Sequence, residues 1–276
     1  MKEYGQKKEE LLRILGKMGS QDLAVAFSGG VDSSLLLKLA CVQAAKGGRK
    51  VWAVTVRSEL QPRKDLEIAA AVAKETGADH RILEVRELET EGIRNNSRER
   101  CYLCKKLLFG CIRDFAAERG ISVILEGTNE DDLHVYRPGI RALRELGIRS
   151  PLAEAGFTKK EVRRLAGEYG ISVAERPSAP CLATRFPYGT KLIPAELEKA
   201  ELGENFLHEQ GFGTVRMRIH GDLVRLEVPQ DELFHLLERR ETVTEYLHRL
   251  GYRYVAADLE GFRSGSMDAP AKGAKS

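Results

Sequence analysis

The chain has 276 residues, with 44 basic and 41 acidic side chains and a formal net charge of +3. That length suits one large domain or two modest ones, and so close a balance argues against a surface dominated by nucleic-acid phosphate contacts. No apolar run approaches the ~18 residues of a membrane span, and the charged start MKEYGQKKEELLRILGKMG lacks the apolar core of a signal peptide. The five cysteines are therefore expected in a reducing cytoplasm, where structural disulfides are rare.

Leu11, Leu12, Ile14 and Leu15 stripe one side of an N-terminal helix. Residues 23–27 form an apolar run that reads as a buried strand, followed by Ser28-Gly29-Gly30-Val31-Asp32-Ser33-Ser34 and then a leucine-rich helix. Strand, glycine loop and helix is a geometry that holds phosphates. Adjacent glycines let backbone approach an anion, the helix start adds about half a positive charge, and Ser28, Ser33 and Ser34 offer hydroxyls. Asp32 does not suit a pure anion cradle, because a carboxylate repels phosphates unless a cation intervenes; it reads as Mg²⁺-linked or loop-ordering. The loop has neither the GxxxxGK(S/T) nor the GxGxxG pattern.

Residues 51–56 read as a second strand. Pro62 opens a helix that Gly77 ends, and 81–85 make a third strand. Residues 101–118 are helical in pattern, and a fourth strand at 123–125 runs into Glu126-Gly127-Thr128-Asn129-Glu130-Asp131-Asp132. This alternation predicts an α/β protein with a doubly wound parallel sheet. Ligands in such sheets bind beyond the carboxyl ends of the strands, so both loops should face one crevice. Thr158-Lys159-Lys160-Glu161 is a capping box, and 171–174 reads as a fifth strand. Pro177, Pro180 and Pro187 rule out regular structure in ERPSAPCLATRFPYGTKL, which marks a domain boundary. The expected division is 1–178, a smaller C-terminal α+β domain at 179–262, and a disordered tail at 263–276. The second domain should hold a helix from Pro194, strands at 215–219, 224–228 and 252–256, and helices from Pro229 to about residue 250.

Glu126, Thr128 and Asn129 stand where Mg²⁺-ATP needs a second acidic group, with Glu126 for the metal and Asn129 for ribose or phosphate. Cys101-Tyr102-Leu103-Cys104 is a CxxC at a helix start with basic neighbours. Its spacing leaves open a zinc half-site, a redox pair or two of three iron–sulfur ligands. Cys41 and Cys111 read as core residues. Cys181 lies in a proline-braced loop near Arg176 and Arg185. An ordinary thiol is only about 3% thiolate at pH 7, and neighbouring guanidiniums favour the thiolate, which is the nucleophile. Arg216 and Arg218 share one face of a strand and suit a phosphate.

The motifs SGGVDSS, RCYLCK, LEGTN with its following DD, YRPG, SPLAEAGFTKKEVRRLA and RPSAPCLATRFPYG occur in this order. In that order they resemble the LarE family, ATP-dependent sulfur transferases of nickel-pincer cofactor biosynthesis in the PP-loop ATP-pyrophosphatase superfamily. The first motif is shared across the superfamily; the Cys181 segment is particular to the family. The resemblance implies an adenine nucleotide alpha hydrolase-like fold and ATP with Mg²⁺ as cofactors. A carboxylate of pyridinium-3,5-biscarboxylic acid mononucleotide would be adenylated and then converted to a thiocarboxylate. ATP would lie on Ser28, Gly29, Gly30, Asp32, Ser33, Ser34, Thr128 and Asn129, and Mg²⁺ near Asp32, Glu126 and Glu201. The substrate phosphate would lie on Arg185, Arg216 and Arg218. In one form of the family the thiol matching Cys181 attacks the acyl adenylate and is left as dehydroalanine. In members with the CxxC, a 4Fe-4S cluster on three cysteines, here Cys101, Cys104 and Cys181, delivers sulfide. The resemblance also implies a homo-oligomer acting on a small nucleotide, with neither nucleic acid nor membrane as partner. The runner-up is another PP-loop adenylating enzyme. A tRNA thiolase should add zinc-finger cysteines or a basic excess, an NAD synthetase-like amidotransferase has no use for Cys181, and a nucleotide sensor would not turn ATP over.

Overall fold

The computed structural model describes residues 3–134, 138–177, 180–263 and 265–267. Tyr136 and Arg137 of YRPG, Ser178 of the proline-rich loop and most of the expected tail at 263–276 lie outside the described residues. The chain divides into two compact units, Met1–Glu87 with Glu99–Ala179, and Leu88–Arg98 with Pro180–Ser276.

In the first unit, β1 (Leu23–Ala26), β2 (Val51–Arg57), β3 (Asp79–Glu84) and β4 (Val123–Leu125) form a parallel sheet in the order β3-β2-β1-β4. Helices α1 (Tyr4–Met18), α2 (Val31–Ala45) and α3 (Arg63–Thr76) are followed by the long α5 (Arg100–Ala117), the intervening single turn α4 (Glu91–Arg94) belonging to the second unit. After β4 come α6 (Glu130–Leu133), α7 (Gly139–Glu145), α8 (Pro151–Glu154) and α9 (Lys159–Glu168). Successive strand side chains point to opposite faces. Leu23 and Val25 therefore enter a core with α1, α2 and α9, while Ala24, Val54, Val56 and Ile124 pack with Phe109, Ile112 and Phe115 of α5. Both faces are covered, which is why these strands read as unbroken apolar runs. The consecutive leucines of α2 have the same cause, since that helix is buried on nearly every side. The chain lays down β1, β2 and β3 in one direction and returns to place β4 against the other edge of β1. That reversal is where open α/β sheets bind ligands.

Residues 171–174 are not a strand. Ile171 N bonds Ala166 O at 3.0 Å and Ala174 N bonds Ile171 O at 3.1 Å, so the segment turns back on the end of α9. Ile171, Val173 and Ala174 are buried in the helix-side core, and their spacing imitates strand alternation. Beyond β4 there is instead a single bridge, Leu125 to Arg149. Among the described residues no helix is long and apolar enough to cross a membrane.

In the second unit, β5 (Arg216–His220), β6 (Leu223–Glu227) and β7 (Tyr254–Ala257) build a mixed sheet, accompanied by helices α10 (Pro194–Glu209), α11 (Leu233–Glu238) and α12 (Arg240–Arg249). Its order is β5-β6-β7, with β5–β6 antiparallel and β6–β7 parallel. The stretch from Pro229 begins as a 3₁₀ turn, Gln230–Glu232, before α11. Gly203 lets α10 lie flush on β5, because a Cβ there would collide with the Met217 sulfur.

The β5–β6 register sets Arg218 opposite Arg225, a like-charge pair that would be unfavourable alone. Glu227, fully buried, resolves it. Its Oε2 accepts from Arg218 Nε and Nη2 at 3.0 and 2.8 Å, its Oε1 accepts from Ser266 Oγ at 2.7 Å, and Arg225 bonds Asp258. Arg218→Ala should destabilise this unit by about 3 kcal/mol, the low end for a broken buried pair because Arg225 still faces Glu227. Chemical denaturation followed by circular dichroism measures this, and an unchanged midpoint would reject the account.

Candidate active site

The loop after β1 is shaped by its two glycines, each for its own reason. Gly29 has φ +73°, and a Cβ there would stand 2.9 Å from the Ala69 backbone of α3. Gly30 is the N-cap of α2 in extended conformation, with no side chain to cap the helix; a Cβ there would meet only Ser28 Oγ, at 3.5 Å. The first-turn N–H groups thus stay available to a ligand. Ser33 Oγ donates to Gly30 O at 3.1 Å and sits 3.2 Å from Ser28 Oγ, so Ser33 orders the loop. Ser34 Oγ is buried without a hydrogen-bond partner. Behind the loop, Phe27 O accepts from Thr55 Oγ1 at 2.8 Å, and that hydroxyl meets His80 Nε2 at 2.9 Å. Burial pushes the His80 pKa down, which keeps the ring neutral near pH 7.

The two loops foreseen to share a crevice do so. Ser28, Gly30, Asp32 and Ser33 line one side of a cleft of about 290 Å³, with Glu126, Gly127 and Thr128 on the other. A Cβ on Gly127 would stand 2.9 Å from Ser33 N, so this glycine is what lets the loops touch. Val54, Val56, Leu108, Phe109 and Ile112 supply an apolar wall suited to a flat ring.

Asp32 Oδ1 accepts from Asn129 Nδ2 at 3.1 Å, and Lys159 Nζ donates to its Oδ2. The cation that Asp32 demands is therefore, at least in part, a lysine of the protein. Sequence reading used Lys159 only as part of the capping box and missed this role; the clue was the unbalanced carboxylate in the loop. Asn129 holds Asp32 and caps α6. Glu126 Oε1 accepts from Thr128 N at 3.0 Å and from Ser150 Oγ, and Oε2 accepts from Thr128 Oγ1 at 2.9 Å. This carboxylate folds its own loop. Among the described residues no three His, Cys, Asp or Glu side chains gather as a metal site. With Asp32 and Glu126 so engaged, a Mg²⁺ here fits as an ion carried on nucleotide phosphates and water, its usual mode. Glu201, 9% exposed on α10, belongs to the second unit.

Cys101 lies in the first turn of α5 and Cys104 opens the second, with Arg100 Nη2 donating to Cys101 Sγ at 3.4 Å. Four residues on, Lys105 and Leu108 line the cleft, so the thiol pair sits one helical turn from its wall. Helix α7 braces this turn: Tyr102 OH donates to Glu145 at 2.7 Å and Arg141 stacks on the Tyr102 ring. Burial pushes the Cys41 thiol up to about 11 and raises Cys111 as well; both are half-buried, Cys41 packing against the core around α2.

Cys181 caps a 3₁₀ turn, Leu182–Arg185. Its carbonyl accepts from Thr184 N, Thr184 Oγ1 and Arg185 Nη1 at 3.1, 2.8 and 3.1 Å. Arg185 forks onto Glu204 at 2.9 and 2.6 Å, and Arg218 Nη1 donates to Thr184 O at 2.8 Å. Both arginines hold the Cys181 turn, a role the strand pattern did not disclose. Arg216 stacks over Phe262. Its pKa is held down by burial first and then by the Arg185 guanidinium, against Glu204.

Gly30→Val and Lys159→Met should each abolish or strongly weaken ATP binding while leaving the unfolding temperature near that of the parent. Gly29→Ala should lower that temperature, because it adds strain and a clash. Calorimetric titration with ATP and a thermal melt check both, and native ATP affinity in the first two variants would remove the cradle.

Residues 4–136 match the PP-loop domain family. The pyridinium-3,5-bisthiocarboxylic acid mononucleotide synthase of Lactiplantibacillus plantarum is 38% identical over 248 residues, 90% of this chain and 89% of that protein. An uncharacterized protein of Synechocystis is 33% identical over 264 residues, covering 95% and 97% of the two chains. An NH(3)-dependent NAD(+) synthetase of Aeropyrum pernix shares 33% identity over 75 residues, 27% of this chain and 26% of its own. With the synthase of Lactiplantibacillus plantarum matched over about nine-tenths of both chains and the PP-loop domain over residues 4–136, the chain belongs to the LarE family of PP-loop proteins.

Proposed function

We propose that this chain is an ATP-dependent sulfur transferase. It converts a carboxylate of pyridinium-3,5-biscarboxylic acid mononucleotide to a thiocarboxylate, releasing AMP and pyrophosphate. The observation that carries the proposal is the uncapped α2 terminus with its balanced Asp32, in a chain 38% identical to a named synthase of the bisthiocarboxylic product. A carboxylate oxygen attacks the α-phosphorus and pyrophosphate leaves. Gly30 and the first-turn N–H groups of α2 hold the leaving phosphates in line, and Lys159 offsets their charge. Mg²⁺ would enter on the nucleotide and neutralise phosphate charge, and Asp32, which lines the cleft, would be the carboxylate of this chain that helps to hold it. ATP lies on the residues of the two loops, the adenine on the apolar wall.

The acyl adenylate is open to sulfur. We assign the attack to the Cys181 thiol, with AMP as leaving group. Loss of the Cys181 α-proton to a base and cleavage of its Cβ–S bond then free the thiocarboxylate and leave dehydroalanine. A 4Fe-4S cluster on Cys101, Cys104 and Cys181 is the second reading of the sulfur source. It is favoured by the thiol pair on the helix that walls the cleft, and no step is assigned to it. A cytoplasmic homo-oligomer is the form we expect, supported by exposed Phe234 and Leu237 on α11.

Intact mass before and after one turnover, with anaerobic iron and sulfide assay, tests the sulfur source. The thiol reading expects colourless protein, at most one thiocarboxylate per chain and a mass loss equivalent to H₂S, with Cys101→Ala fully active in that single turnover. Brown protein that turns over repeatedly with added sulfide, and an inactive Cys101→Ala, would overturn it. For the substrate phosphate we propose Arg216, where an anion would relieve buried positive charge. Arg216→Ala should raise the substrate KM by 10-fold or more, the loss of a charged hydrogen bond of about 1.5–3 kcal/mol, and leave the ATP KM unchanged. Equal effects on both ligands would reject that role.

A further inference from the structure

Asn96 is fully buried and is, among the described residues, the non-glycine residue with left-handed backbone, φ 48°. Asparagine tolerates that region better than most side chains. Its Nδ2 donates to two consecutive carbonyls, Phe186 O at 3.1 Å and Pro187 O at 2.8 Å. Its own carbonyl accepts from Gly189 N at 3.0 Å, and the Arg94 carbonyl accepts from Leu192 N at 2.7 Å. Arg98 lies over the Tyr188 ring, 5.6 Å from its centroid. All of these residues belong to the second unit. Residues 94–98 thus grip 186–192, the C-terminal stem of the loop that presents Cys181. A loop braced by prolines cannot fix itself by strand pairing, and the buried amide does so in its place. At the other side of the same turn, Arg185 and Arg218 hold the Cys181 and Thr184 carbonyls.

We propose that Asn96 is a positioning residue for the sulfur-transfer step: its amide locks the stem so that the Cys181 turn is presented in one conformation. The proposal rests on Cys181 as the sulfur nucleophile, and Asn96 itself touches no reacting atom. Because the ATP cleft is built from other residues, adenylation should not need this lock.

The test uses the full chain with three substitutions. Asn96→Gly keeps the left-handed backbone and removes the amide. Asn96→Asp keeps size and turn preference but has no N–H to donate. Cys181→Ala is the control. Two partial reactions are read separately, pyrophosphate release and thiocarboxylate formed in one turnover. Iodoacetamide alkylation of Cys181 is followed by peptide mass spectrometry against Cys101 and Cys104 in the same sample. Both Asn96 variants should release pyrophosphate as the parent does, while thiocarboxylate formation falls by about 10²-fold, the scale of a ~1 Å misplacement. Cys181 should be alkylated several-fold faster. Native thiocarboxylate formation with native alkylation would overturn the proposal, and so would a parallel fall of both partial reactions, which marks a merely structural residue. Native thiocarboxylate formation by Cys181→Ala would instead sink the nucleophile reading, and the alkylation rates would then decide alone whether Asn96 holds the loop.

Discussion

The Asp32 carboxylate stands at the mouth of a cradle made for anions, and the first unit is arranged to keep it there. Three remote pieces of chain meet on it. Asp32 rides on the first turn of α2, which β1 delivers. Asn129 comes from the loop after β4, and Lys159 opens α9, which packs in the core alongside α2. The strand order follows from the same need, since Asn129 reaches Asp32 only if β4 lies beside β1. Gly127 completes the arrangement by letting one loop rest on the backbone of the other.

The second unit meets the opposite difficulty. Arg185, Arg216 and Arg218 crowd positive charge into a buried place, and Glu204 and Glu227 take the first and third. Positive charge still bears on Arg216, whose guanidinium is pushed down despite those carboxylates. The ion pairs do two things at once. They offset charge that burial would make costly, and they pin the carbonyls of a turn that has no sheet to join.

What could be read in the sequence was whatever is coded locally. The apolar runs of β1, β2 and β4, the leucines of α2 and the two polar loops each follow from periodicity and glycine chemistry. Residues 171–174 misled because burial at alternate positions does not require a sheet. The decisive pairings were illegible because they join distant residues: Lys159 and Asp32 are 127 positions apart, and Ser150 and Glu126 are 24 apart. Alternation showed that Arg216 and Arg218 share a face, but not that Glu227 waits for one of them. Asn96 gave no signal, since a left-handed asparagine looks like any other in a polar stretch.

Residues 88–98 belong to the second unit although the first unit resumes after them. The ribosome therefore makes Asn96 ninety positions before Phe186, the first carbonyl it grips. For those ninety residues of synthesis this strap has nothing to hold and must wait while the sheet that surrounds it in sequence takes shape. A fragment starting at residue 180 would carry the cysteine loop without its clasp. The two halves of the protein are thus separable as compact bodies but not as genes, and a cut at the apparent boundary would divide the second body rather than release it.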